Sequence, residues 1–232
     1  RVFVVMPGLR VARTLARTVR AIPAEGVDGV IYVDDGSDDG SIEVARALGV
    51  TVFAHGRNLG YGAGQKTGYR EALAAGADVV VMVHPDFQYK PELVPAMAAM
   101  VAFGGYDIAL GSRMLMRGAL AGGMPRWKYL VNRGLTEVEN AMLGAGLSEY
   151  HTGYRAFSRA ALEALPLGEN RNDFVFDNEV LAQAIHFGMR IGEVSCPAHY
   201  FEEMQTITFG PGVTFIDGGH DGSGIFRPCA RW

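Results

Sequence analysis

Short apolar runs that alternate with stretches of helical spacing restrict this chain more than any other feature of its sequence. Val2-Phe-Val-Val-Met6 stops at Pro7 and reads as a buried strand; Val11, Leu15, Val19 and Ile22 then recur at helical spacing. Val30-Ile-Tyr-Val33 gives a second strand, cut off by Asp34-Asp-Gly-Ser-Asp-Asp-Gly40. A short helix over 41–48 leads to a strand at Val50-Thr-Val-Phe53, and a helix over 63–75 leads to Val79-Val-Val-Met-Val83. Pro91 opens a helix marked by Leu93, Val94, Met97, Met100 and Val101, which leads to a strand at Ile108-Ala-Leu110. This alternation predicts an α/β fold, a mostly parallel sheet flanked by helices on both faces. The second half is less regular. Helices are expected near 128–142 and 177–187, with the polar run Glu149-Tyr-His-Thr-Gly-Tyr-Arg155 between them and a strand at 190–194. From Gly210 the chain is Gly-rich and reads as loop or partial disorder.

With 232 residues, 49% of them apolar and 20% charged, the chain can bury a sizeable core and has the balance of a folded soluble protein. A net charge of −4 argues against a basic nucleic-acid surface. The apolar run over 79–83 is far below the ~20 residues needed to span a bilayer. No signal-peptide pattern is visible. Cys196 and Cys229 sit far apart and lack metal-ligand spacing, so a reducing, cytoplasmic setting is expected.

Open parallel sheets bind ligands at the carboxyl ends of their strands, and the polar clusters fall there. Asp34-Asp-Gly-Ser37 directly follows a strand; a carboxylate there can accept from a base N–H or a ribose hydroxyl, or the segment can be a plain turn with a helix cap. In Val83-His-Pro-Asp-Phe-Gln88, His84, Asp86 and Gln88 alternate along an extended segment. They suit a divalent metal, or equally a turn that caps the next helix. Asn58-Leu-Gly-Tyr-Gly-Ala-Gly-Gln-Lys-Thr67 fails as a phosphate-binding P-loop, because Gln65 stands where Gly must precede the Lys. The expectation there is a loop that enters a helix packed tightly on the sheet. Gly111-Ser-Arg113 and Thr152-Gly-Tyr-Arg155 bring permanent cations towards the crevice or into salt bridges. Asp177, at the start of a helix behind Phe174 and Phe176, reads as an N-cap or a general base.

Taken in order and spacing, Val33-Asp-Asp-Gly-Ser37, Arg57-Asn-Leu-Gly60, His84-Pro-Asp-Phe-Gln88, Leu110-Gly-Ser-Arg113, His151-Thr-Gly-Tyr-Arg-Ala-Phe-Ser158 and Asp173-Phe-Val-Phe-Asp177 resemble family 2 of the inverting glycosyltransferases. The branch is that of the dolichyl-phosphate mannose and polyprenyl-phosphate sugar synthases. The resemblance covers about 2–209 and implies a GT-A fold, with a nucleotide-sugar half over 1–112, an acceptor half over 113–209 fused to it in one domain, and 210–232 as a tail. It implies that Pro7, Asp34 and Asp35, with Ser37, Asn58 and Gly60 beside them, hold a UDP- or GDP-sugar. By the same resemblance Asp86, Gln88 and His84 hold Mn²⁺ or Mg²⁺, and Arg113 lies near the diphosphate. Arg155 would lie near the acceptor or the sugar, and Asp177 and Glu179 match the acidic region that supplies the base where the acceptor is a hydroxyl.

The acceptor would be a polyprenyl phosphate or a saccharide hydroxyl. A lipid acceptor would bring the protein to the inner face of the membrane, although no spanning or clearly amphipathic anchor is evident. Three positions depart from the pattern. His84 replaces an Asp, Pro7-Gly-Leu-Arg10 replaces Pro-x-Tyr-Asn, and Glu202-Glu203 with Gly210-Pro-Gly212 stand where relatives carry a basic closing loop. The competing readings are a non-catalytic nucleotide-sugar-binding relative and a sugar-nucleotide pyrophosphorylase.

Overall fold

The computed structural model describes residues 1–197, together with a two-stranded ribbon at Thr206–Phe209 and Val213–Ile216. Glu202-Glu203, Gly210-Pro-Gly212 and the rest of the Gly-rich tail after 216 lie outside the described residues. Strands β1 (Val2–Gly8), β2 (Gly29–Asp34), β3 (Thr51–Ala54), β4 (Val79–Met82), β5 (Ile108–Ser112), β6 (Arg155–Ser158) and β7 (Ile191–Ser195) form one sheet, ordered β3-β2-β1-β4-β6-β5-β7. All neighbours pair in parallel except at β6, which runs antiparallel to both β4 and β5. The helices are α1 (Ala12–Ala21), α2 (Ser41–Ala47), α3 (Tyr61–Ala74), α4 (Val94–Ala102), α5 (Gly118–Ala121), α6 (Arg126–Leu143), α7 (Arg159–Ala164) and α8 (Phe176–His186).

The central strands are apolar throughout because both of their faces are covered. Val4, Met6, Val79 and Val81 point into a core shared with α1, α2 and α4, while Val5, Val80 and Met82 point into a second core under α3, α7 and α8. Glycine explains how closely α3 approaches. A Cβ on Gly68 would collide with Val5, and one on Gly64 would press on Pro7 at 3.1 Å. The Gly-rich segment is therefore the packing face of a helix laid on β1, not a phosphate-wrapping loop.

β6 comes from the second half of the sequence yet lies between β4 and β5, so both halves share one sheet. Among the described residues, no helix is long and apolar enough to cross a membrane.

Candidate active site

The direction of strand succession reverses between β1 and β4, and a crevice at such a switch point is where open α/β sheets take their ligands. Pro7 lies at the end of β1, Asp34 and Asp35 at the end of β2, and His84 to Gln88 just past β4.

The β2 wall is internally braced. Asp34 is fully buried, and its carboxylate accepts from the Tyr32 hydroxyl at 2.8 Å and from the backbone N–H groups of Gly36 and Ser37 at 3.1 and 2.8 Å. Burial, and then Asp34 itself, hold the Tyr32 hydroxyl far above its ordinary range, so it remains a donor. Asp35 accepts from the N–H groups of Leu59 and Gly60, each at 2.8 Å, and lies 2.7 Å from His55 Nδ1. The other ring nitrogen of His55 is 2.9 Å from Thr67 Oγ1. Asn58 Oδ1 accepts from Gly60 N–H at 2.9 Å, and Ser37 Oγ accepts from Arg10 N–H at 2.8 Å. Gly60 has φ +102°, and a Cβ there would strike the Asn172 carbonyl. The residues expected to meet a nucleotide thus form one continuous wall, with the oxygens of Asp34 and Asp35 used to hold its loops together.

The segment after β4 is a tight turn with Phe87 in the left-handed region at φ 61°, its ring under the Arg17 guanidinium at 3.8 Å. Asp86 Oδ1 accepts from Gln88 N–H at 2.9 Å, whereas Asp86 Oδ2 is buried and has no hydrogen-bond partner. The Gln88 side-chain nitrogen is likewise buried and unpartnered, and reversing the amide would put an oxygen there instead. Unsatisfied buried carboxylate and amide atoms are costly unless a ligand completes them, and a hard cation does so. Among the described residues no group of three or more His, Cys, Asp or Glu side chains forms a metal cage. His84 is stacked on Tyr61 (5.5 Å between ring centroids, 8° between planes), and its Nε2 lies 3.1 Å from the Tyr61 hydroxyl. Gly153 makes room for it, since a Cβ there would overlap His84 Nε2.

Tyr61 links this turn to the acid at the start of α8. Its hydroxyl donates to Asp177 Oδ2 at 2.9 Å, and Gln65 Nε2 donates to Asp177 Oδ1 at 3.0 Å. Tyr69 donates in turn to Gln65 Oε1 at 2.5 Å, which fixes the orientation of the amide. With Tyr61 donating to Asp177, His84 Nε2 is the donor to the Tyr61 oxygen. Burial, then the Asp177 charge, keep the Tyr61 hydroxyl protonated at any working pH. Sequence reading named Gln65 only as the residue that spoils a P-loop; in the structure its side chain is hydrogen-bonded to Asp177.

The two arginines are interior struts. Arg155 is fully buried and donates to the carbonyls of Thr152 (2.8 Å), Tyr150 (3.0 Å) and Asp177 (2.6 Å), with Asp177 Oδ1 3.7 Å from its Nη1. Arg113 forms a buried ion pair with Glu149, Nε to Oε1 at 2.8 Å, while Glu149 Oε2 accepts from the Arg113 backbone N–H at 2.8 Å. The salt-bridge alternative for Arg113 is thus realised, but in the interior. Glu179 accepts from the Arg171 backbone N–H at 2.8 Å.

Glu139 of α6 reaches the same region. Its Oε1 accepts from Asn178 Nδ2 at 3.3 Å and lies 3.7 Å from His151 Nε2, while its Oε2 is buried without a hydrogen bond. Burial raises its pKa from 4.5 to about 7, and burial lowers that of His151. An acid whose folded pKa is raised imposes no penalty below its ordinary value; the penalty grows between about 4.5 and 7 and is complete above. Glu139→Gln is therefore expected to add about 2 kcal/mol of stability at pH 8 and almost none at pH 4.5. Thermal melts of both proteins across that range check it.

The glycosyl transferase family 2 model matches residues 3–165. An uncharacterized protein of Methanocaldococcus jannaschii is 32% identical over 202 residues, covering 87% of this chain and 82% of its own length. The UDP-N-acetylglucosamine--dolichyl-phosphate N-acetylglucosaminyltransferase of Methanococcus voltae is 24% identical, with 87% and 86% covered. Glucosyl-3-phosphoglycerate synthase of Mycobacterium tuberculosis, solved with Mg²⁺ and UDP, superposes with a TM-score of 0.66 at 22% identity, covering 86% of this chain and 72% of that one. The strand order with its β1–β4 switch point, the superposition and the match of the family model across most of the sequence lead to one conclusion: the chain belongs to glycosyl transferase family 2 and is a glycosyltransferase of the GT-A fold.

Proposed function

We propose that this glycosyltransferase moves a sugar, with inversion, from a nucleotide-diphosphate sugar to a polyprenyl phosphate or a hydroxyl acceptor. The observation that supports the reading is the Tyr61 bridge: one hydroxyl touches both His84, in the turn after β4 that this reading assigns to the donor, and Asp177, the acid at the start of α8 that it assigns to the acceptor. Donor and acceptor groups thereby share one crevice. The UDP-sugar and dolichyl phosphate named for the Methanococcus relative support this choice of substrates.

In this reading the wall from Pro7 through Asp34, Asp35, Ser37, Asn58 and Gly60 receives the nucleoside, chiefly through its backbone and shape. Asp86, with Gln88 and His84 of the same segment, would hold Mn²⁺ or Mg²⁺, which when bound supplies positive charge opposite the leaving diphosphate. The nucleophilic oxygen forms its bond to the anomeric carbon as the bond from that carbon to the diphosphate oxygen breaks. Asp177, fixed at both oxygens by Tyr61 and Gln65, takes the proton of a hydroxyl nucleophile. A phosphate nucleophile is already anionic, and towards it Asp177 only orients. Arg155 and Arg113 keep the loops of this side in place from the interior.

The test is to supply labelled UDP- and GDP-sugars with Mn²⁺ or Mg²⁺, with and without polyprenyl phosphate or saccharides. Acceptor-dependent release of nucleoside diphosphate, stopped by a chelator, is the expected result. Absence of release from every donor would remove the reading in favour of a non-catalytic relative. Synthesis of nucleotide sugar from sugar phosphate and nucleoside triphosphate would replace it with a pyrophosphorylase.

A further inference from the structure

The 18-residue helix α6 has its polar and apolar faces reversed relative to an ordinary surface helix. Asn132 and Thr136 are buried, and Glu139 follows them on the inner face towards Asn178 of α8. Outside, Trp127, Leu130, Val131, Leu135, Val138 and Met142 are all exposed, Leu130 at 68% and Met142 at 80%. At 100° per residue these six fall within one continuous arc. Arg126 and Lys128 flank Trp127, with Lys128 Nζ 5.5 Å from its ring, and Arg133 pairs with Glu137 at 3.0 Å along the border.

We infer that α6 lies flat on an anionic lipid surface, its apolar face in the headgroup boundary, so that the acceptor side of the crevice opens at the membrane. This deepens the acceptor reading above and rests on it for its purpose. Two features favour lipid over a second copy of the chain. On a protein of net charge −4, the border of the apolar arc carries three basic side chains, Arg126, Lys128 and Arg133, against one acid, Glu137, and Trp with Lys and Arg is the composition that settles at a bilayer interface, whereas protein interfaces are depleted in Lys. The stripe is also small. An 18-residue helix is about 27 Å long, and one face of it offers a few hundred Å², less than the roughly 800 Å² each partner buries in a stable complex. The sequence reading saw no amphipathic anchor because spacing reveals an apolar face without telling whether it points in or out.

The experiment uses vesicles of phosphatidylcholine alone and of phosphatidylcholine mixed with phosphatidylglycerol, free of polyprenyl phosphate and of donor. With Trp232→Phe as background, the expected result is co-sedimentation with the anionic vesicles, weakened by salt, and a blue shift of Trp127 emission. Leu130→Ser and Val138→Ser should each weaken vesicle binding about tenfold, with unchanged circular dichroism because both side chains are exposed. Three results would overturn the inference: no sedimentation with either vesicle; a concentration-dependent dimer lost in the same variants; or Trp127 shielded from a soluble quencher in the vesicle-free monomer, which would mean that another part of the chain covers it. Nucleotide-sugar binding is measured separately on the same proteins, so failure of the donor reading and failure of the docking surface leave different signatures.

Discussion

Asp177→Asn is expected to lower turnover with a hydroxyl acceptor about a thousandfold while lowering turnover with a polyprenyl phosphate by only about tenfold. The difference arises from the nucleophile. A hydroxyl must lose its proton as it attacks, and Asp177 is the acid aimed by Tyr61 and Gln65; a phosphate oxygen brings its own charge. The replacement keeps the shape of the side chain, but Gln65 presents its amide nitrogen to Asp177 because its oxygen is engaged by Tyr69. Placing an Asn nitrogen opposite it costs a hydrogen bond, about 1 kcal/mol, so melts recorded in parallel separate folding from chemistry. An equal, severe loss with both acceptors would take the base assignment away from Asp177. Glu179, whose Oε2 accepts from the Arg171 backbone N–H, would then be the next candidate for the base.

Arg113→Met is expected to destabilise the protein by about 3–5 kcal/mol, enough to leave a marginal domain partly unfolded. Glu149 is fully buried and takes both the guanidinium and the backbone N–H of Arg113. Removing the cation leaves a carboxylate in the interior with its charge uncompensated. The double variant Arg113→Met with Glu149→Met should recover most of the loss, because the desolvation of both charges disappears together. Urea denaturation of the wild type, both single variants and the double variant gives the coupling directly. Should Arg113→Met keep full stability and instead lose affinity for nucleoside diphosphate, the arginine would belong to the diphosphate site that the sequence resemblance implies.

The first half of the fold was legible because its central strands are largely buried, so Val79 to Val83 and Val2 to Met6 announce themselves as apolar runs. β6 was not. Its four residues include Arg155, and only Ala156 and Phe157 are apolar, too few to show a period; the strand exists because it fills the space between β4 and β5. The site divides in the same way. His84, Asp86 and Asp177 were visible as polar residues at element ends, where an α/β sheet collects its ligands. Their connection was invisible, since Tyr61 and Gln65 meet Asp177 across 116 and 112 positions of sequence. Asp34 and Asp35 show a third case. Their position at a strand end was clear, but that Tyr32, His55 and the backbone of Leu59 and Gly60 occupy their oxygens depends on loops brought together only in three dimensions.

The claim on which the rest stands is a metal-dependent donor site at Asp86. Calorimetric titration of UDP, GDP and their sugars, with and without Mn²⁺, into wild type and Asp86→Ala addresses it directly. Binding of one nucleotide series that requires Mn²⁺ in the wild type and falls at least about a hundredfold in Asp86→Ala is the expected result. The absence of binding by any nucleotide, or binding indifferent to both Mn²⁺ and Asp86, would contradict it.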